Sequence, residues 1–174
     1  MPSNIEIKAR IQNRQQLEAC IQRFTKEEPQ VIHQKDIFFR CQRGRLKLRI
    51  LDDHHGELIW YDRPNQPTAK RSDYILSHTT EPVLLHETLA RAYDELTIVQ
   101  KERTLYMIGQ TRVHLDRVEQ LGDFLELEVV LQADQTEQEG LQIASRIMQD
   151  LDIRPETLID RAYADLLMDP DSGN

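Results

Sequence analysis

Apolar and charged residues alternate along this chain with an unusual regularity. In GRLKLRI, Leu46, Leu48 and Ile50 alternate with Arg45, Lys47 and Arg49. In FLELEVVL, Leu125, Leu127 and Val129 alternate with Glu126 and Glu128, and in NIEIKAR, Ile5 and Ile7 alternate with Glu6 and Lys8. Alternate side chains of a strand share a face, so each segment has one apolar face and one charged face. This period predicts strands near residues 3–10, 36–41, 44–51, 57–63, 73–77, 99–108, 111–116 and 124–132. Arg43-Gly44, His55-Gly56, Ile108-Gly109 and Gly122-Asp123 supply turns between several of them.

Four helices are predicted between the strands. Leu17, Cys20, Ile21 and Phe24 have helical spacing behind Asn13, a candidate N-cap. Pro82 suits a first helical turn, with Leu85, Leu89, Ala92, Tyr93 and Leu96 on one side. Thr136 and Glu139 form a capping box for a helix with Leu141, Ala144, Met148 and Leu151 inward. Pro155 begins a fourth, with Leu158, Ala162 and Leu166 inward. The expected class is α+β with a largely antiparallel sheet. No linker divides the chain, so residues 1–168 read as one domain and 169–174 as a disordered tail.

The apolar strand faces need helices to cover them. The charged faces then meet water, or turn inward in a closed barrel. Charge composition bears on that choice. The chain carries a net charge of −8, which disfavours nucleic acid and anionic membranes as partners. The strand positions oppose this trend. Lys8, Arg45, Lys47, Arg49, Lys101, Arg103 and Arg112 outnumber Glu6, Asp116, Glu126 and Glu128 by three. Moreover, cations and carboxylates lie on different strands, whereas simple cross-strand pairing favours mixing. A solvated face is the bland account of any one such row; the joint pattern suggests a shared polyphosphate site.

A triphosphate carries about four negative charges and needs several Arg and Lys facing it at once. Carboxylates among those cations make sense as ligands for Mg²⁺ or Mn²⁺. Glu6, Glu126 and Glu128 are the natural ligands, and Asp116 either joins them or orients a neighbouring Arg. His114 shares a strand face with Arg112 and Asp116, as a site-lining or a structural residue. His54-His55 reads as a hairpin tip. The P-loop, dinucleotide and nucleophile-elbow fingerprints are absent. Cys20 and Cys41 match no metal or redox spacing. With no N-terminal apolar run and no apolar stretch of membrane-spanning length, a cytoplasmic location is expected.

These segments, with KDIFFR, LIWYDRP, KRSDY, VQKERTLY and TRVHLDRVEQLGDFLELEV, resemble the CYTH superfamily of triphosphate tunnel metalloenzymes, most of all its class IV adenylyl cyclase branch. The resemblance extends to AYADLL near the C-terminus. It implies a closed eight-stranded antiparallel β-barrel, or tunnel, with helices packed outside. It further implies phosphate contacts from Lys8, Arg45, Lys47, Arg49, Arg63, Lys101, Arg103 and Arg112, and metal ligation by Glu6, Asp116, Glu126 and Glu128. The catalytic set is expected to be Lys8, Lys101 and Glu128. Arg63 stands near where relatives often carry Lys.

One departure from the family pattern matters. The family signature E-x-E-x-K reads here Asn4-Ile5-Glu6-Ile7-Lys8. Asn offers an oxygen but no charge, which weakens a metal site while sparing the phosphate cations. Two functions follow as expectations: a metal-dependent enzyme acting on a nucleoside or inorganic triphosphate, as cyclase or triphosphatase, and a non-catalytic polyphosphate-binding module. The long acidic helices face either water or a second copy of the chain in a homodimer.

Overall fold

A computed structural model describes residues 3–63, 65 and 68–169. Among these described residues there are eight strands: β1 (Ser3–Arg10), β2 (Gln30–Phe39), β3 (Arg45–Asp52), β4 (His55–Asp62), β5 (Lys70–Thr79), β6 (Glu95–Ile108), β7 (Thr111–Val118) and β8 (Gly122–Val130). They close into a barrel in the order β1-β5-β4-β3-β2-β6-β7-β8, and every neighbouring pair is antiparallel. The helices are α1 (Arg14–Ile21), α2 (Pro82–Ala92), α3 (Glu137–Asp150) and α4 (Tyr163–Met168).

The two strand faces have opposite fates. Outward side chains Ile5, Ile7, Val113, Leu115, Leu125, Leu127 and Val129 are buried with Leu17 and Ile21 of α1 and Ala144 and Ile147 of α3. A smaller cluster buries Ile37, Phe39 and Leu48 under Leu89 of α2. The apolar faces are thus taken up outside the barrel, and the alternating charged residues point inward. Asn13 caps α1 through the Gln16 amide at 3.1 Å, and Thr136 and Glu139 form the reciprocal capping box of α3.

Register places the charges opposite one another. Glu6 of β1 faces Glu128 of β8, which faces Arg112 of β7. One rung along, Lys8 faces Glu126, which faces His114. Arg103 of β6 faces Asp116 of β7, and Asp36 of β2 faces Arg49 of β3.

Three expectations about elements need correction. β6 starts at Glu95, so Leu96 belongs to a strand, and Tyr93 caps α2 in an extended conformation at 47% exposure. Glu95, Thr97 and Ile98 find ladder partners on β2, with Leu96 at a register shift, and those hydrogen bonds outweigh a longer helical stripe. β2 begins at Gln30, six residues before the predicted start, and pairs with β6 along its whole length. Pro155 opens only a single 3₁₀ turn over Pro155–Thr157. The chain beyond it is drawn onto β1, where Leu158 bridges Ala9 and the Ile159 amide donates to the Lys8 carbonyl at 2.9 Å. The helix forms only afterwards, as α4, with Ala162 and Leu166 buried as the pattern required. Residues 170–174, most of the expected tail, lie outside the described residues.

Candidate functional site: a charged cavity inside the barrel

The barrel encloses a cavity of about 410 Å³, within the size range of small-molecule sites, about 300–1,000 Å³. Seven cations line it: Lys8, Lys47, Arg49, Arg63, Lys101, Arg103 and Arg112. Five carboxylates accompany them: Glu6, Asp36, Glu57, Glu126 and Glu128. One end of the interior is apolar. There Phe38, Val99, Val118 and Phe124 pack against Tyr163, Ala164 and Leu166 of α4.

Two buried aspartates hold the cations in position. Asp36 accepts from Lys47 Nζ at 2.7 Å and from Arg49 Nε and Nη2 at 2.8 and 3.1 Å. Burial raises its carboxyl, but Arg49 and Lys47 outweigh that and hold it well below the usual range. Asp116, fully buried, accepts two bonds of 2.7 Å from Arg103, stands 3.4 Å from Lys101 Nζ and accepts from Tyr163 Oη at 2.9 Å. Burial again works against its charge, and Arg103 and Lys101 win, so it stays ionised. Tyr163 also offers its ring to Lys8, whose Nζ lies 3.9 Å from the centroid, and to Lys101 at 5.0 Å. Burial lowers the pKa of Lys47 to about 8, with Arg49 adding to the effect.

Glu126 and Glu128 face the same space. Each gives one oxygen to an arginine: Glu126 Oε2 to Arg103 at 2.7 Å and Glu128 Oε2 to Arg112 at 2.9 Å. Glu126 Oε1 is 3.9 Å from Lys8, and Glu128 Oε1 is 3.8 Å from His114 Nδ1. Ligand atoms of His114, Glu126 and Glu128 all lie within 4.8 Å of one another, which suits a divalent ion. Glu6 stands in register with Glu128 and is 3.4 Å from Arg63 Nε. Burial, with Glu126 and Glu128, raises its pKa. A dication among these carboxylates would relieve that repulsion, so the residues present fit a metal. Burial, helped by Arg103, lowers His114 to about 4, leaving a neutral imidazole at neutral pH.

The structure brings most of the expected residues together and sets two apart. Arg45 lies outside the cavity lining; its guanidinium forms two 2.8 Å bonds to Asp165 of α4. The strand end where it sits lies against α4, so the inward alternation there meets protein in place of a cavity. Asp116 sits behind Arg103, outside the lining, with its oxygens committed; of the two roles foreseen, orienting an arginine is the one its contacts fit. Asp36 and Tyr163 were missed. Asp36 had a signal in the alternation Gln34-Asp36-Phe38, a lone acid in an aromatic strand. Tyr163 had none, because its place in the barrel depends on a tertiary turn of the chain. The hairpin reading of His54-His55 holds: both are exposed at the β3–β4 turn.

The model of the CYTH domain matches residues 3–163, and the chain belongs to that family. No curated protein matches the chain. Among solved structures, the PH1012 protein of Pyrococcus horikoshii OT3 superposes with a TM-score of 0.83 at 22% identity, over 94% of this chain and 98% of that one. A candidate adenylate cyclase from Vibrio parahaemolyticus gives 0.71 at 19% identity, over 94% and 97%. A candidate adenylyl cyclase from Hippeastrum, described as having a dominant triphosphatase activity, gives 0.67 at 15% identity, over 98% and 96%. At these identities the likeness is one of fold.

Proposed function

We propose that the cavity binds the triphosphate chain of a nucleotide or of inorganic triphosphate together with Mg²⁺ or Mn²⁺, and that the protein breaks a phosphoanhydride bond there. One observation supports this above the rest: seven cations and a metal-competent His/Glu group converge on one cavity inside the barrel. Lys47 and Arg49, fixed by Asp36, bind one stretch of the phosphate chain. Lys101 and Arg103, fixed by Asp116, bind another. Lys8, held against the Tyr163 ring, adds a further cation to the lining. Such preorganised charge stabilises the transition state of phosphoryl transfer, which asks little covalent chemistry of the protein. A bound dication supplies neutralisation of phosphate oxygens and activation of the nucleophile. Glu126 and Glu128, with Glu6 beside them, are its expected carboxylate ligands.

With water as nucleophile, its oxygen attacks the terminal phosphorus, the bond to the bridging oxygen breaks, the diphosphate portion leaves with that oxygen, and the water gives up its proton to solvent, leaving orthophosphate: a triphosphatase. With the ribose 3′-hydroxyl of ATP attacking the α-phosphorus, pyrophosphate leaves and cyclic AMP forms. The fold likeness to the Vibrio and Hippeastrum proteins supports both chemistries. Product analysis with tripolyphosphate, ATP and thiamine triphosphate, under each metal, separates them. Lys101→Ala is expected to lower turnover about 10²–10³-fold. Retained turnover in that variant, or in Glu128→Ala, would remove the assignment.

A second reading rests on Asn4, which is 3% exposed, lines the cavity and has an unpartnered Oδ1. A neutral residue at that place favours a binding module without turnover. Tight tripolyphosphate binding with no product under either metal is its signature.

A further inference from the structure

His114 is the one member of the proposed metal group that the carboxylate pattern does not call for. It is 3% exposed, and its Nδ1 is buried without a hydrogen-bond partner. Glu128 Oε1 is 3.8 Å away, beyond hydrogen-bond reach. An unpaired buried ring nitrogen costs free energy unless something satisfies it. One ring nitrogen of His114 and one oxygen from each of Glu126 and Glu128 lie within 4.8 Å of one another. Each of those carboxylates already gives its Oε2 to an arginine; Glu128 Oε1 is left on the side of His114, and Glu126 Oε1 stands 3.9 Å from Lys8 Nζ, too far for a hydrogen bond.

We propose that His114 Nδ1 ligates the dication together with Glu126 and Glu128, making a mixed nitrogen–oxygen centre that selects first-row transition ions over Mg²⁺. This rests on the triphosphate-site reading and gives it a metal preference. Mg²⁺ demands oxygen ligands and keeps its waters, whereas imidazole suits the later divalent ions. An all-carboxylate site would lack that bias. Here the third protein donor is a nitrogen, delivered by β7 in register with Glu126.

The test uses the intact protein, free of nucleotide, in nitrogen-free buffer. Co²⁺ titration followed by visible absorption and calorimetry is expected to show one site, at least about tenfold tighter than Mg²⁺. His114→Gln is expected to weaken Co²⁺ binding by about tenfold or more and to leave Mg²⁺ within a factor of about two. Pulsed EPR of the Mn²⁺-loaded wild type needs no variant and is expected to show coupling to a ¹⁴N nucleus. Absence of that coupling overturns the proposal, as does an equal change, or none, in the two affinities. Calorimetric binding of tripolyphosphate on the same samples assigns a failure. If it persists while the nitrogen signal is missing, only the role of His114 falls. If tripolyphosphate also fails to bind, the function proposed above falls with it.

Discussion

Single side chains in this cavity are costly to alter, because most belong to buried pairs. Replacing Asp36 with Asn leaves Lys47 and Arg49 buried beside a neutral group. Losing one partner of a buried pair costs about 3–5 kcal/mol, so urea denaturation of Asp36→Asn is expected to show a loss of that order. Saturating tripolyphosphate should recover part of it, since the anion replaces the missing charge; a loss unaffected by the anion would mean the two cations do not face it. His114 gives a pH signature. Its folded pKa of about 4 lies below the ordinary value of 6.5, so its contribution is full above 6.5 and is lost as pH falls toward about 4. Glu6, whose pKa is raised, works in the opposite direction. Comparing wild type with His114→Gln cancels Glu6. The wild type should lose stability relative to the variant across that window, at no more than about 1.4 kcal/mol per pH unit. Parallel stability curves would contradict a neutral buried imidazole.

At the scale of elements, the strand alternation was readable because burial on one face is strict. Lys47, Arg49, Lys101, Arg103, Glu126 and Glu128 all fall on the inward face that their period gives them. The capping box at Thr136 was readable because its bonds are local. The first half of β2 was not, since QVIHQ has weak alternation and takes its identity from a ladder with β6, some seventy residues away. α4 was misplaced for a similar reason: the chain after Pro155 follows β1 before it can coil. α4 is short, and the Arg45–Asp165 ion pair ties it to β3. Both partners remain partly exposed, so Asp165→Ala is expected to cost only about 1 kcal/mol, including its bond to the Ala162 amide. The informative readout is local. Hydrogen exchange should quicken in residues 163–168 while β7 and β8 amides stay protected. Faster exchange throughout the barrel would show that α4 supports the whole sheet and not only its end.

For the molecule as a whole, the distribution of charge is the organising fact. A chain of net charge −8 concentrates cations where the barrel turns them inward. The sequence shows the rows; closure by β1 pairing with both β5 and β8 makes them converge, and no local pattern announces those long-range contacts. Lys47, lowered to about 8 by burial and Arg49, should set an alkaline limit. Anion affinity should weaken as pH rises through about 8, and Lys47→Arg should move that limit upward, because Arg keeps its charge. The most direct measurement of the central claim is the melting temperature at pH 7 with increasing tripolyphosphate. At about 100 times Kd, a ligand confined to the folded state adds about 2.7 kcal/mol, or roughly 5–10 °C for a chain of this size. The account predicts a rise of that order in wild type and a much smaller one in Lys101→Ala. No rise in wild type, or the same rise in both, would contradict it.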